Sequence, residues 1–183
     1  MKRLFVAVPV SEEIAKEIKP VLSALAKTGT DLKLVSLFNL HFTLKFLGEV
    51  DEKKIPEIEK KLRKVADKTT SFDLSVKGVG VFPSLERISV IWVGTEDSEL
   101  VSLMKIIGKE LDPIRKNDHQ EEVAHLTIAR VKTSKGKEKL QQFVKRFEKK
   151  EFGKMAVDKL ILYESELTGE GPVYKVVKEF KLK

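Results

Sequence analysis

The chain has 183 residues and a formal charge of +7 at pH 7. This length fits one domain, or two small lobes that share a core. The chain has no cysteine, which excludes disulfides, thiolate nucleophiles and cysteine-based metal sites. The basic excess fits a polyanionic partner such as RNA, but a solvated surface rich in lysine and glutamate is an equally good explanation.

The N-terminal segment predicts a first β-strand rather than a targeting sequence. Its apolar run from Leu4 to Val10 is short, and Ser11-Glu12-Glu13 follows it in place of a small-residue cleavage site. No apolar run approaches the ~18–20 residues that a membrane-spanning helix needs. We therefore expect a cytoplasmic protein without a membrane segment.

Apolar residues recur at helical spacing in four segments. The first stripe predicts a helix near residues 11–27, which Pro20 should kink or locally loosen. The other three stripes predict one helix near residue 60, one near residue 105 and one near residue 143. The stripes consist of Ile14, Ile18, Val21, Leu22 and Leu25; Ile55, Ile58, Leu62 and Val65; Leu100, Leu103, Met104, Ile107 and Leu111; and Leu140, Phe143, Val144 and Phe147.

Segments rich in β-forming residues separate these helices. Residues 72–82 and 87–93 predict one hairpin. Residues 155–164 and 172–181 predict a second hairpin, whose turn is the glycine-containing segment 168–171.

Two tetrapeptides 84 positions apart (125 − 41) have nearly the same pattern. Residues 41–44 read His-Phe-Thr-Leu, and residues 125–128 read His-Leu-Thr-Ile. Successive side chains of a strand point to opposite faces, so each His and Thr share one face and the apolar pair enters the core. A single copy is usually structural, but two copies, each followed by a helix, favour a functional interpretation.

The offset of 84 also relates other elements of the chain. The strand that starts at Arg3 superposes on the one that starts at Arg87, and the helix starts near Asp51 and Lys135 coincide. The pattern predicts an α+β fold with two pseudo-symmetric lobes, each an antiparallel-rich sheet with two helices, and an active-site groove between them. We predict that residues 1–183 form a single bilobal domain with a pseudo-repeat of about 84 residues.

The paired tetrapeptides carry the groups needed for proton transfer around a phosphate. One imidazole can take a proton from an attacking water, and the other can protonate the departing oxygen. The hydroxyls of Thr43 and Thr127 can donate to the non-bridging phosphate oxygens. We expect no metal and no cofactor, since His119 is isolated and no Asp/Glu triad is obvious.

The tetrapeptides resemble those of the 2H phosphoesterase superfamily, and the whole chain is similar to its RNA 2′,3′-cyclic phosphodiesterases, also known as bacterial and archaeal 2′-5′ RNA ligases. The resemblance rests on residues 3–9, 41–50, 78–83, 91–94, 125–130, 162–167 and 171–174. It implies a monomeric, metal-independent enzyme that opens a terminal RNA 2′,3′-cyclic phosphate to a 2′-phosphate. It also implies that His41 is the proton donor, that His125 is the proton acceptor, and that the two threonines hold the phosphate.

Two alternatives to hydrolysis remain open. Some members of the family join RNA ends such as tRNA halves through a 2′-5′ bond, and the same residues would serve both directions of the reaction. The other alternative is an RNA- or nucleotide-binding module without turnover.

Five residues near the tetrapeptides are further candidates. Lys45 shares the parity of the first His and either lies along the groove against phosphate or is a surface lysine. Arg130 has the opposite parity, so it reaches substrate only if the strand ends or twists; family usage favours that contact. Phe38 and Phe82 are expected in the core, with base stacking as the alternative. We also expect Trp92 in the core.

Overall fold

The four helices that the sequence predicts are present, and strands stand singly or in succession between them. The structure, a computed structural model, describes residues 1–114, 123–169 and 171–183. Its helices are α1 (Glu12–Ala26), α2 (Ile55–Ala66), α3 (Ser98–Leu111) and α4 (Lys137–Phe147). Its strands are β1 (Lys2–Pro9), β2 (Leu32–Leu34), β3 (His41–Val50), β4 (Phe72–Pro83), β5 (Ile88–Thr95), β6 (His125–Val131), β7 (Glu151–Val157), β8 (Lys159–Thr168) and β9 (Gly171–Lys181).

The strands form two antiparallel sheets. The first sheet has the order β3-β1-β8-β9, and the second has the order β2-β6-β5-β4-β7. Helices α2 and α3 pack on the first sheet, and α1 and α4 pack on the second. The predicted α+β fold of two lobes, each a sheet with two helices, is therefore confirmed.

Each lobe takes strands from both halves of the chain. The first sheet combines β1 and β3 with the hairpin β8-β9, and the second combines β5 and β6 with β4 from the first half. Both predicted hairpins are present, as β4-β5 and β8-β9. The segment predicted as one strand at 155–164 divides at Asp158, because β7 pairs with β4 and β8 pairs with β1 in the other sheet.

Local sequence explains where the first helix begins and which face it buries. Ser11 caps α1, where its Oγ accepts a hydrogen bond from the Ile14 backbone N–H. The helix continues through Pro20 to Ala26. The apolar stripes of the helices pack into the core between helices and sheets. None of the helices within the described ranges is long and apolar enough to span a bilayer.

Candidate active site

A groove of about 790 Å³ lies between the two sheets and is lined by both tetrapeptide strands. Strands β3 and β6 contact each other across the lobes. The groove brings together His41, Thr43, His125 and Thr127. Its other lining residues are Arg3, Leu4, Phe5, Lys33, Leu34, Val35, Ser36, Asn39, Phe46, Gly48, Phe82, Val90, Arg130, Ser165, Leu167, Thr168, Gly171, Pro172, Val173 and Tyr174.

The apolar positions of the two tetrapeptides fix which side chains reach the groove. Phe42, Leu44, Leu126 and Ile128 are all buried. Burial of each such side chain contributes about 1.5–3 kcal/mol, and a slip of one residue would move all of them to the groove side. The hydroxyls of the two threonines, which face the groove, have no hydrogen-bond partner among the described residues.

Each histidine is oriented by the backbone carbonyl two residues before it. The Nδ1 atom of His41 lies 2.7 Å from the Asn39 oxygen, and that of His125 lies 2.9 Å from the Val123 oxygen. A carbonyl only accepts, so Nδ1 carries the proton in both rings. This tautomer makes Nε2 the nitrogen that can exchange a proton with a bound molecule.

Aromatic rings surround His41 and change its protonation. The imidazole lies 5.0 Å from the Phe5 ring and meets the Tyr174 ring edge-on at 5.2 Å. Burial lowers the pKa of His41 below its ordinary value of 6.5, and the charge of His125 acts in the same direction. The hydrogen bond to Asn39 opposes this shift of the pKa. His41 is therefore neutral at pH 7 in the protein without substrate.

The second histidine packs against two rings of its own lobe. The His125 imidazole meets Phe82 edge-on at 4.8 Å and lies 6.3 Å from the Trp92 ring. Two glycines make room for that indole: a Cβ on Gly80 would lie 2.2 Å from it, and a Cβ on Gly94 would lie 2.8 Å from it. The indole Nε1 is buried, and the described residues offer it no hydrogen-bond partner.

The predicted position of Lys45 along the groove is wrong. In the pairing with β1, Thr43 and Lys45 face successive residues, so Leu44 is an extra residue that forms a bulge. The bulge reverses the alternation and turns Lys45 into the core, where it is only 5% exposed. Its Nζ donates to Asp112 Oδ1 at 2.5 Å and to the Gly108 carbonyl at 3.2 Å.

The same bulge in β6 places Arg130 in the groove. Thr127 and Ala129 pair with successive residues of β5, so Ile128 is the extra residue. Ala129 is consequently buried, and Arg130 is exposed and lines the groove despite its parity. The sequence allowed Arg130 to reach the groove only if the strand ended or twisted, and the structure shows that a β-bulge turns it there.

Three aromatic residues lie outside the core in which the sequence placed them. Phe38 is 99% exposed. Phe82 lines the groove. Trp92 pairs with groove-facing Thr127 on β6, and its indole contacts the rings of Phe82 and His125. His119, for which the sequence suggested no role, lies outside the described residues.

Sequence reasoning missed several groove residues. Asn39 is the clearest, because its carbonyl holds His41 and its side-chain Nδ2 donates to the Pro172 carbonyl at 3.1 Å. In the sequence, only the position of Asn39 two residues before His41 could have indicated this role. Arg3 and Lys33 also line the groove, although the sequence shows them as ordinary strand cations.

No group of three or more His, Cys, Asp or Glu side chains within the described ranges is arranged to hold a metal ion. The described residues that line the groove offer imidazoles, hydroxyls and cations.

Comparisons with known proteins identify the family. Two segments, residues 8–92 and 93–174, match the family described as LigT like phosphoesterase. A Methanocaldococcus jannaschii protein named RNA 2′,3′-cyclic phosphodiesterase is 37% identical over 97% of this chain and 99% of its own. Its Thermotoga maritima namesake is 38% identical over 97% of this chain and 94% of its own.

Solved structures share the fold. A crystal structure of a Thermus thermophilus protein has a TM-score of 0.84 at 26% identity and covers 98% of this chain and 97% of that one. Escherichia coli LigT complexed with 3′-AMP has a TM-score of 0.77 at 21% identity and covers 100% of this chain and 98% of that one. The chain belongs to the LigT like phosphoesterase family.

Proposed function

We propose that the protein is an RNA 2′,3′-cyclic 3′-phosphodiesterase, which opens a terminal 2′,3′-cyclic phosphate to a 2′-phosphate. The observation that supports this best is the pair of imidazoles, each with Nδ1 held by a backbone carbonyl, that line one groove with two threonines. Curated relatives carry the corresponding name, and a structural neighbour binds 3′-AMP.

In the proposed reaction, water attacks phosphorus and the bond to the 3′ oxygen breaks. His125 takes a proton from the water at Nε2, and His41 gives its Nε2 proton to the departing 3′ oxygen. Thr43 and Thr127 donate to the non-bridging oxygens, where negative charge develops. Arg130 supplies a positive charge to the phosphates of the bound RNA.

The charge of the substrate reconciles the acid role of His41 with its lowered pKa. In the free protein burial favours the neutral imidazole. A phosphodiester anion beside the ring favours the imidazolium and raises the pKa again. Substrate binding would therefore charge the acid, and in the reverse reaction the two imidazoles would exchange roles.

We further propose a monomeric, cytoplasmic protein that works without metal or cofactor as one bilobal domain, on RNA ends that include tRNA halves as the family resemblance implies. The sharing of strands between the lobes supports the single domain.

The experiment that tests the function replaces His41 and His125 separately by Ala and measures turnover of an oligoribonucleotide with a 2′,3′-cyclic phosphate end. We expect each change to lower kcat by about 10²–10⁴-fold, the usual contribution of positioned proton transfer. Circular dichroism of each variant verifies folding. Full activity of either variant would contradict the mechanism.

Product analysis tests the direction of the reaction. ³¹P NMR distinguishes a 2′-phosphate from a 3′-phosphate product. Addition of an RNA with a 5′-hydroxyl end tests ligation with the same preparation. Hydrolysis that exceeds ligation at equal RNA concentrations supports the proposal, and the reverse ratio supports a 2′-5′ ligase.

A further inference from the structure

Two cations face each other in the groove without a counterion. Lys33 on β2 and Arg130 on β6 are directly opposite partners in the strand register, and both line the groove. Like charges in that position destabilise a sheet. Neither forms an ion pair with a described residue, and no described carboxylate lines the groove. The pair is therefore arranged to receive an anion.

The backbone of the pair lies further along the groove than the second histidine. On β6 the groove-facing positions after His125 are Thr127 and Arg130, so the backbone of Arg130 is two such steps, roughly 13 Å, from the histidine. The Lys33 ammonium extends toward the β8-β9 turn, since a Cβ on Gly171 would lie 3.5 Å from Nζ. The two residues thus start from a part of the groove beyond the histidine, where they can meet a phosphate other than the reacting one.

An exposed aromatic ring borders the same side of the groove. Phe38 is 99% exposed, more than any other large hydrophobic residue that the structure describes. It lies five residues after Lys33 and between the groove-lining residues Ser36 and Asn39. Proteins that bind single-stranded nucleic acids stack bases on such rings beside positively charged grooves.

We propose that Lys33, Arg130 and Phe38 form a second nucleotide subsite, which binds the nucleotide that precedes the terminal cyclic phosphate. The two cations bind its phosphodiester, and Phe38 stacks on its base. The inference rests on the proposed function but goes beyond it, because hydrolysis needs only the terminal nucleotide. With this subsite, the protein selects the ends of RNA chains over free cyclic mononucleotides.

The test compares two substrates that share a terminal nucleoside: a nucleoside 2′,3′-cyclic monophosphate and an oligoribonucleotide that ends in the same cyclic phosphate. In the wild type we expect the oligonucleotide to have the higher kcat/KM. Lys33→Ala and Phe38→Ala should each lower that kcat/KM roughly tenfold and leave the mononucleotide unchanged. Phe38→Trp, which retains a stacking surface, should keep the preference.

Salt dependence separates the phosphate contact from the stacking contact. For the oligonucleotide, Lys33→Ala should make the slope of log kcat/KM against log salt shallower by about 0.7, the value for one phosphate contact on a single strand. Phe38→Ala should leave the slope unchanged. Lys105→Ala and Ile106→Ala on the exposed side of α3, which packs on the outer face of the first sheet, are matched controls.

Failure of the subsite and failure of the function give different results. Equal kcat/KM for the two substrates, or equal losses on both in the variants, would overturn the subsite while turnover of the mononucleotide upholds the function. If the wild type turns over neither substrate, the proposed function fails. Equilibrium binding of the oligonucleotide then decides, and equal affinity of the wild type and Lys33→Ala overturns the subsite as well.

Discussion

Phe46 and Arg130 occupy the same place after the two tetrapeptides, because each follows the histidine of its strand by five residues and each lines the groove. The bulges at Leu44 and Ile128 put them there. One lobe therefore presents an aromatic ring where the other presents a guanidinium. The two lobes therefore line the groove with chemically different side chains at these positions.

The first prediction contrasts two cations that follow the tetrapeptides. Arg130→Met should lower kcat/KM for a cyclic-phosphate oligonucleotide by about ten- to a hundredfold, because a charge-assisted hydrogen bond contributes about 1.5–3 kcal/mol. Lys45→Met should stay within about threefold of the wild type, since Lys45 faces Asp112 and Gly108 in the core and Met preserves its volume.

Steady-state kinetics at fixed salt measures both variants, and thermal unfolding verifies that each is folded. Asp112 is half exposed, so water can solvate its charge once Lys45 is replaced. A folded Lys45→Met variant with a loss as large as that of Arg130→Met would show that Lys45 serves the substrate after all.

The sequence predicts regular elements and fails at their irregularities. Periodicity located the four helices and both hairpins. A helix that buries one face has apolar residues at helical spacing, and a strand that buries one face has them at alternate positions. The bulge at Leu44 has no such signal: Lys45 has the parity of a groove residue, and the residue types alone continue the alternation. Only the register with β1 shows the extra residue.

Tertiary contacts account for the remaining differences. The Asn39 side-chain amide donates to the Pro172 carbonyl, 133 positions away, and no local sequence pattern predicts that contact. Phe38 was expected in the core because large apolar residues usually are, yet its short helical turn leaves it in solvent. The pseudo-repeat and the roles of the two histidines stay predictions.

The second prediction concerns the charge of His41. In a His125→Asn variant, the pKa of His41 should rise, because the repulsion between the two imidazoles disappears, but it should remain below 6.5, because burial is the larger cause. NMR titration of the imidazole Cε1 proton measures this directly. A pKa of His41 that does not change would show that the two rings do not interact.

The same lowered pKa makes stability depend on pH. As the pH drops through 6.5, His41 becomes protonated in the unfolded chain but stays neutral in the folded protein, because its pKa there is lower. The free energy of unfolding should therefore fall as the pH drops through 6.5. Denaturant unfolding of the wild type and His41→Asn at pH 7.5 and 5.5 measures the effect. The variant should lose less stability than the wild type, and an equal loss would contradict the assignment.

The third prediction treats Asn39 as a residue that positions His41. Asn39→Ala removes the hydrogen bond to Pro172 and lets the carbonyl that holds Nδ1 move, so kcat should fall about tenfold with little change in KM. Stability should fall by only about 0.5–1.5 kcal/mol. Asn39→Asp, which places a carboxylate against the Pro172 carbonyl, should be worse.

Gln141→Ala is the matched control for Asn39, because its Nε2 also donates to a backbone carbonyl, that of Leu85 at 2.9 Å, outside the groove. A merely structural role for Asn39 would make both variants similar in kcat. The pKa of His41 is a second readout, since a weaker hydrogen bond to Asn39 should lower it further.

The fourth prediction concerns the close approach of Gly80 and Trp92. A Cβ at Gly80 would lie 2.2 Å from the indole, so Gly80→Ala must displace a ring that packs against Phe82 and lies beside His125. We expect a loss of stability of about 1–3 kcal/mol, as overpacking usually costs, together with reduced kcat. Gly169→Ala should be nearly neutral, because no atom of the described residues beyond its chain neighbours lies within 4 Å of the new Cβ.

A double-variant cycle separates the clash from other effects of the methyl group. In a Trp92→Leu background the shorter side chain leaves space, so Gly80→Ala should lose most of its cost in the free energy of unfolding. Additive losses in the double variant would mean that the glycine is needed for its backbone rather than for the indole. Non-additive changes in the free energy of unfolding would establish that the lack of a side chain at Gly80 makes space for Trp92, which in turn packs beside His125.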